Sequence, residues 1–147
     1  MISTGLLVAG CAQDSQPQAS VGATEGAAEG SANTVSAAAP IVGDAAAGER
    51  IYIFCQSCHS LNEGGANKVG PNLYGIFGRQ AAQAEGFIYS AALNSADITW
   101  TAEKLDQWIT RPAALVPGTT MVFAGVNDPQ QRANLIAYLE AASGAAN

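Results

Sequence analysis

Three stretches of the chain place apolar residues at helical spacing, and each has its own start signal. The first begins at Asp44, whose carboxylate can cap a helix running through Gly48, Arg50, Ile51 and Tyr52 toward Cys55. Ile51 and Tyr52 supply its buried side. The second follows Thr101, with Leu105, Trp108 and Ile109 on one face. It stops before Pro112, because a residue ahead of proline is pushed out of helical geometry. The third is the best marked: Asp128 caps it, Pro129 takes the first helical position and Gln131 completes a capping box. Leu135, Ile136, Tyr138 and Leu139 form its apolar stripe. Between His59 and Leu73 the chain carries Gly64, Gly65, Gly70 and Pro71 and reads as loop, and Gly75, Gly78 and Gly86 continue it. No strand pattern interrupts this order. The expectation is a small all-α domain of helices and Gly-rich loops over residues 43–147.

Ahead of that domain the pattern changes. Residues 12–42 hold no aromatic side chain, hardly a large aliphatic, and only Asp14, Glu25 and Glu29 as charges. Such a segment cannot bury enough apolar surface to offset its ordering entropy, so it reads as a flexible tether. Treated as a Gly-rich coil of about 31 residues, it has an r.m.s. span of roughly 30 Å. Residues 1–11 form an apolar stretch ending in Ala9, Gly10 and Cys11, which resembles a bacterial lipoprotein signal ending at its lipidation cysteine. The stretch is too short to span a bilayer as a helix. Acyl chains on Cys11 would anchor the chain to a membrane. An uncleaved N-terminus is the other reading.

At 147 residues, one ordinary domain is the expectation. The chain carries 12 acidic and 6 basic residues, and all the basic ones lie beyond the tether. With no basic face to neutralise phosphates, nucleic acid is excluded as a partner. Of the three cysteines, two stand in Cys55-Gln56-Ser57-Cys58-His59. That pentapeptide is the attachment signature of a c-type haem, with both thiols becoming thioether links and the histidine placed under the ring to ligate iron. A redox dithiol would sit in a βαβ pattern, which is missing here. A zinc site needs four ligands, and the sequence holds one further Cys and no further His. Haem attachment is the best of the three readings.

Other blocks extend the picture: Gly70-Pro71-Asn72-Leu73, Gly75-Ile76-Phe77-Gly78-Arg79, Ile98-Thr99-Trp100, Pro117-Gly118-Thr119-Thr120-Met121, Phe123-Ala124-Gly125 and Leu135-Ile136-Ala137-Tyr138-Leu139. With the pentapeptide, they occur in the order and at the spacings of class I cytochrome c, and from Gly43 to Ala142 the chain resembles that family. The resemblance implies a small cytochrome c fold wrapped around one covalent haem c and its iron. His59 would be one axial ligand, with its free nitrogen donating to the Pro71 carbonyl, a contact that fixes tautomer and ring orientation. Met121 would be the other, a soft neutral thioether that favours ferrous iron. Met121 could otherwise be core filling. Tyr89, Trp100 and Thr119 align with residues that hydrogen-bond the haem propionates, and Arg79 with one that offsets their charge. By composition alone Trp100 could be ordinary core and Arg79 ordinary surface.

Departures from the mitochondrial pattern are specific. Trp108 stands where a tyrosine lies close to the methionine sulfur, and Leu93 replaces a buried asparagine. The lysines that steer docking are gone: Ala113, Ala114 and Thr120 flank the Met loop, and Phe54 precedes the first haem Cys. From Gly43 onward, nine acidic residues face six basic ones. An apolar docking patch of Phe54, Ala113, Ala114, Val116 and Phe123 is therefore expected. The implied function is a monomeric, single-haem electron carrier, not an enzyme, tethered on the periplasmic side of a bacterial membrane. By analogy it would run between a bc-type quinol oxidoreductase and a terminal oxidase or reaction centre. A five-coordinate haem enzyme or gas sensor, and a fixed electron-entry subunit of an oxidase, are the alternatives.

Overall fold

The computed structural model describes residues 41–144, so the expected lipoprotein segment with Cys11, and the tether up to residue 40, lie outside the described residues. Asp44 caps helix α1 (Ala45–Gln56) by accepting from the amides of Ala46 at 2.9 Å and Ala47 at 3.4 Å. Thr101 does the same for α3 (Ala102–Thr110), and Asp128 for α5 (Pro129–Ala142), which starts on Pro129. Each cap satisfies amides that the first helical turn leaves unpaired. The expected capping box at α5 is half made: Asp128 accepts from the Gln131 amide at 2.8 Å, and no return bond from the Gln131 side chain forms among the described residues. Two four-residue helices, α2 (Ala91–Asn94) and α4 (Pro112–Leu115), were not anticipated. Among the described residues there is no strand, only an isolated antiparallel bridge between Gln80 and Thr99.

α1 and α5 make the main interhelix contact. They meet at Gly48, where a β-carbon would lie 2.6 Å from the Asn134 carbonyl carbon and 2.7 Å from Tyr138 Cβ. One turn on, the Tyr52 and Tyr138 rings pack with centroids 5.4 Å apart. Asn134 Oδ1 accepts from the Asp44 amide, and Gln130 holds the Val42 carbonyl at 2.8 Å, so the start of the domain is fastened to α5. α3 joins the pair through Arg132, whose guanidinium pairs with Asp106 at 2.6 Å and also donates to the carbonyls of Val126 and Asn127. The buried core draws Tyr52, Leu105, Trp108, Ile109, Leu135 and Leu139 from the three long helices. It draws Ile76, Ile98 and Trp100 from the loops between α1 and α3.

One expectation fails here. The sequence pattern puts Val116 in an exposed docking patch, yet in the structure it is only 5% exposed and belongs to the core. It follows the short helix α4, whose turn closes through the Val116 amide on the Pro112 carbonyl and carries the side chain inward. Phe54, by contrast, is 69% exposed, Ala113 and Ala114 are exposed, and Phe123 is half-buried against the core.

Candidate haem site

The motif sits where α1 ends. The amides of Cys58 and His59 both donate to the Cys55 carbonyl, at 3.0 and 2.9 Å, so one tight turn brings two sulfurs and an imidazole together. Neither cysteine is in a disulfide. Burial, reinforced by the neighbouring Cys58, pushes the free thiol of Cys55 up to about 11. Among the described residues no group of three or more His, Cys, Asp or Glu is placed to hold a metal ion.

His59 is 9% exposed and held from several sides. Its Nδ1 lies 2.8 Å from the Pro71 carbonyl, the hydrogen bond expected from the sequence. With Nδ1–H donating, the Nε2 lone pair is the one left for a ligand role. Gly70 lies flat against the ring: a β-carbon there would stand 2.7 Å from Nδ1 and 2.8 Å from Nε2. Burial lowers the imidazole pKa, opposed by the Pro71 bond and aided by the Lys68 charge, a shift toward the neutral ring that ligation requires. The Tyr52 hydroxyl and the Lys68 ammonium both donate to the His59 main-chain carbonyl, at 3.0 and 3.2 Å. Neither contact was read from the sequence. A lysine twelve residues beyond the end of α1 is a signal only in hindsight.

The other expected residues fall on the loops flanking α3, except Trp108, which lies within that helix. Met121 is partly buried against the core, and its amide donates to Thr119 Oγ1 at 3.2 Å, which ties the two residues into one turn. Trp100 and Trp108 are buried and meet edge to face, with centroids 5.4 Å apart. The Tyr89 hydroxyl accepts from the Ala84 amide at 3.2 Å, and burial raises its pKa. Its own O–H remains to donate, and the indole N–H of Trp100 finds no acceptor among the described residues. Arg79 is turned to main chain, donating to the carbonyls of Tyr74 at 3.0 Å and Asn72 at 3.3 Å. Two thiols in one turn, an imidazole with Nδ1 engaged, a thioether, and a Tyr89 hydroxyl and Trp100 indole N–H not spent as donors among the described residues make a donor set that fits a covalent haem with carboxylate side groups. Cys55, Cys58, His59 and Met121 would hold it, and it would supply a one-electron iron couple.

Comparison with known proteins agrees with this chemistry. The cytochrome c family profile matches residues 45–143. Cytochrome c2 of Blastochloris viridis is 50% identical over 97 residues, covering 66% of this chain and 76% of that protein. Cytochrome c of Nigella damascena is 41% identical over 99 residues, covering 67% and 89%. The structure of cytochrome cH from Methylobacterium extorquens superposes with a TM-score of 0.64 at 43% identity, covering 67% of this chain and 99% of that one. The chain thus belongs to the cytochrome c family, whose members carry electrons on covalently bound haem c and are not enzymes, and Cys55-Gln56-Ser57-Cys58-His59 is the family's attachment motif.

Proposed function

We propose that this protein is a membrane-tethered, single-haem electron carrier ligated by His59 and Met121. It would work between a bc-type quinol oxidoreductase and a terminal oxidase or reaction centre on the periplasmic side of a bacterial membrane. The observation that carries the ligand assignment is the 2.8 Å bond from His59 Nδ1 to the Pro71 carbonyl, which leaves Nε2 as the ligating atom. Met121 is the one methionine in the folded domain. The 50% identity to a cytochrome c2 supports a bacterial carrier of the same kind. Met121→Ala tests the assignment. It should open the sixth position, lower the midpoint potential and admit carbon monoxide, and an unchanged spectrum and potential would remove Met121 from the iron.

The docking patch reduces to Phe54, Ala113, Ala114 and the half-buried Phe123, with Val116 withdrawn to the core. A tether raises the effective concentration of carrier at a membrane partner, so long-range charge steering matters less. Electron transfer to the partner should then change little between low and physiological salt, and a steep fall would contradict this reading. The anchor would be Cys11, where an apolar run ending in Ala9 and Gly10 resembles a lipoprotein signal. Cys11→Ser should release the protein from membranes with its haem spectrum intact. Retention on the membrane would point to the uncleaved N-terminus instead.

A further inference from the structure

The histidine of the motif is gripped through its main chain as well as its ring. Its carbonyl oxygen receives two donors, the Tyr52 hydroxyl at 3.0 Å and the Lys68 ammonium at 3.2 Å. Those two donors occupy both lone pairs of that oxygen. Lys68 also donates to the Gln56 carbonyl at 2.6 Å, which places a cation on the last carbonyls of α1, where the helix dipole favours it. Lys68 belongs to the same short segment as Gly70, which lies against the imidazole face, and Pro71, which accepts from Nδ1. Tyr52 stands on α1 itself. Its ring is 7% exposed and packed on Tyr138 of α5. The hydroxyl therefore links the α1–α5 interface to the residue that ends the motif.

We infer that Tyr52 and Lys68 are positioning residues that clamp the His59 main chain and so set the orientation and electrostatic surroundings of the axial imidazole. The inference rests on His59 being an iron ligand. Tyr52 acts by geometry. Without its hydroxyl the His59 carbonyl keeps one donor, and the peptide can rotate about the Nδ1–Pro71 bond. Lys68 acts by geometry and charge together. A fixed positive charge near the ligand disfavours the ferric state, so it raises the potential.

The test uses the haem-loaded full chain and reads the hyperfine-shifted haem methyl resonances of the ferric protein, together with the midpoint potential. Tyr52→Phe keeps the ring and its packing and deletes only the hydroxyl. It should change the methyl pattern and shift the potential. Tyr138→Phe, which removes a hydroxyl from the neighbouring ring, should leave both at wild-type values. Lys68→Met should lower the potential, and Lys68→Arg should restore it toward wild type. Tyr52→Phe with the wild-type methyl pattern and potential would overturn the clamp. If that variant fails to take up haem, Lys68→Met decides, and an unchanged potential and methyl pattern in it would overturn the inference. A wild type lacking the low-spin spectrum of His and Met ligation would overturn the ligand assignment itself, and the clamp with it.

Discussion

Gly48→Ala measures how closely α1 and α5 must approach for this domain to hold together. Two effects oppose each other. Inside a helix, alanine is favoured over glycine by about 1 kcal/mol. Against that, the new methyl would stand 2.6 Å from the Asn134 carbonyl carbon and 2.7 Å from Tyr138 Cβ, both fixed parts of α5 with no rotamer to escape into. Restoring ordinary contact at about 3.5–4 Å needs the helices to part by roughly 1 Å. That motion would loosen the Tyr52–Tyr138 ring pair and the hydrogen bonds from Asp44 to Asn134 and from Gln130 to Val42. Overpacking of this kind costs about 1–3 kcal/mol, and the weakened contacts add to it, so the steric effect wins. The expected outcome is a net loss of about 2 kcal/mol, or about 10 °C in Tm for a domain near 100 residues. Thermal unfolding of the haem-loaded protein, followed in the Soret band and by far-UV circular dichroism, reads this directly. The exposed Ala46→Gly on the same helix serves as the propensity control, with an expected loss below about 1 kcal/mol because Ala46 stands in the first turn. A Gly48→Ala variant as stable as wild type, or more stable, would refute the close approach.

Ala82 holds φ at +59°, a left-handed conformation that costs a residue with a β-carbon about 1–2 kcal/mol. Ala82→Gly should therefore raise stability by roughly 0.5–1 kcal/mol in denaturant unfolding, after the larger chain entropy of glycine is subtracted. Among the described residues the Ser143 hydroxyl is fully buried without a hydrogen-bond partner, so Ser143→Ala should stabilise by about 1 kcal/mol. A loss in that variant would reveal a partner for the hydroxyl. Arg132→Met strips donors from the Val126 and Asn127 carbonyls and unpairs Asp106. Because the Asp106 side chain is 41% exposed and can rehydrate, the cost falls mainly on the carbonyls, about 1–2 kcal/mol by urea unfolding, and it should depend weakly on salt.

Short-range signals were legible in the sequence because they act within one turn. Asp44 and Asp128 each cap the helix expected of them, and Thr101, expected only to precede its helix, caps it as well, since a side-chain oxygen and an amide two or three residues away need nothing else. The motif and the bond from His59 to Pro71 were legible too, through the family resemblance. The four-residue helices α2 and α4 were not, because they are too short to show a hydrophobic period. Val116 was misplaced because the alanines before it are exposed, and only the turn of α4 tells its direction apart from theirs. Tyr52 and Lys68 escaped because an aromatic on a helix face reads as core and a lysine in a loop reads as solvated charge. Their meeting at one carbonyl is a tertiary fact.

An optical redox titration of the purified haem protein tests the central claim most directly. It follows the weak far-red iron–sulfur band and the midpoint potential together. His59 and Met121 ligation predicts that band in the oxidised form, low-spin iron and a clearly positive potential. No far-red band, high-spin iron and ready binding of carbon monoxide would contradict the carrier and favour a five-coordinate haem protein.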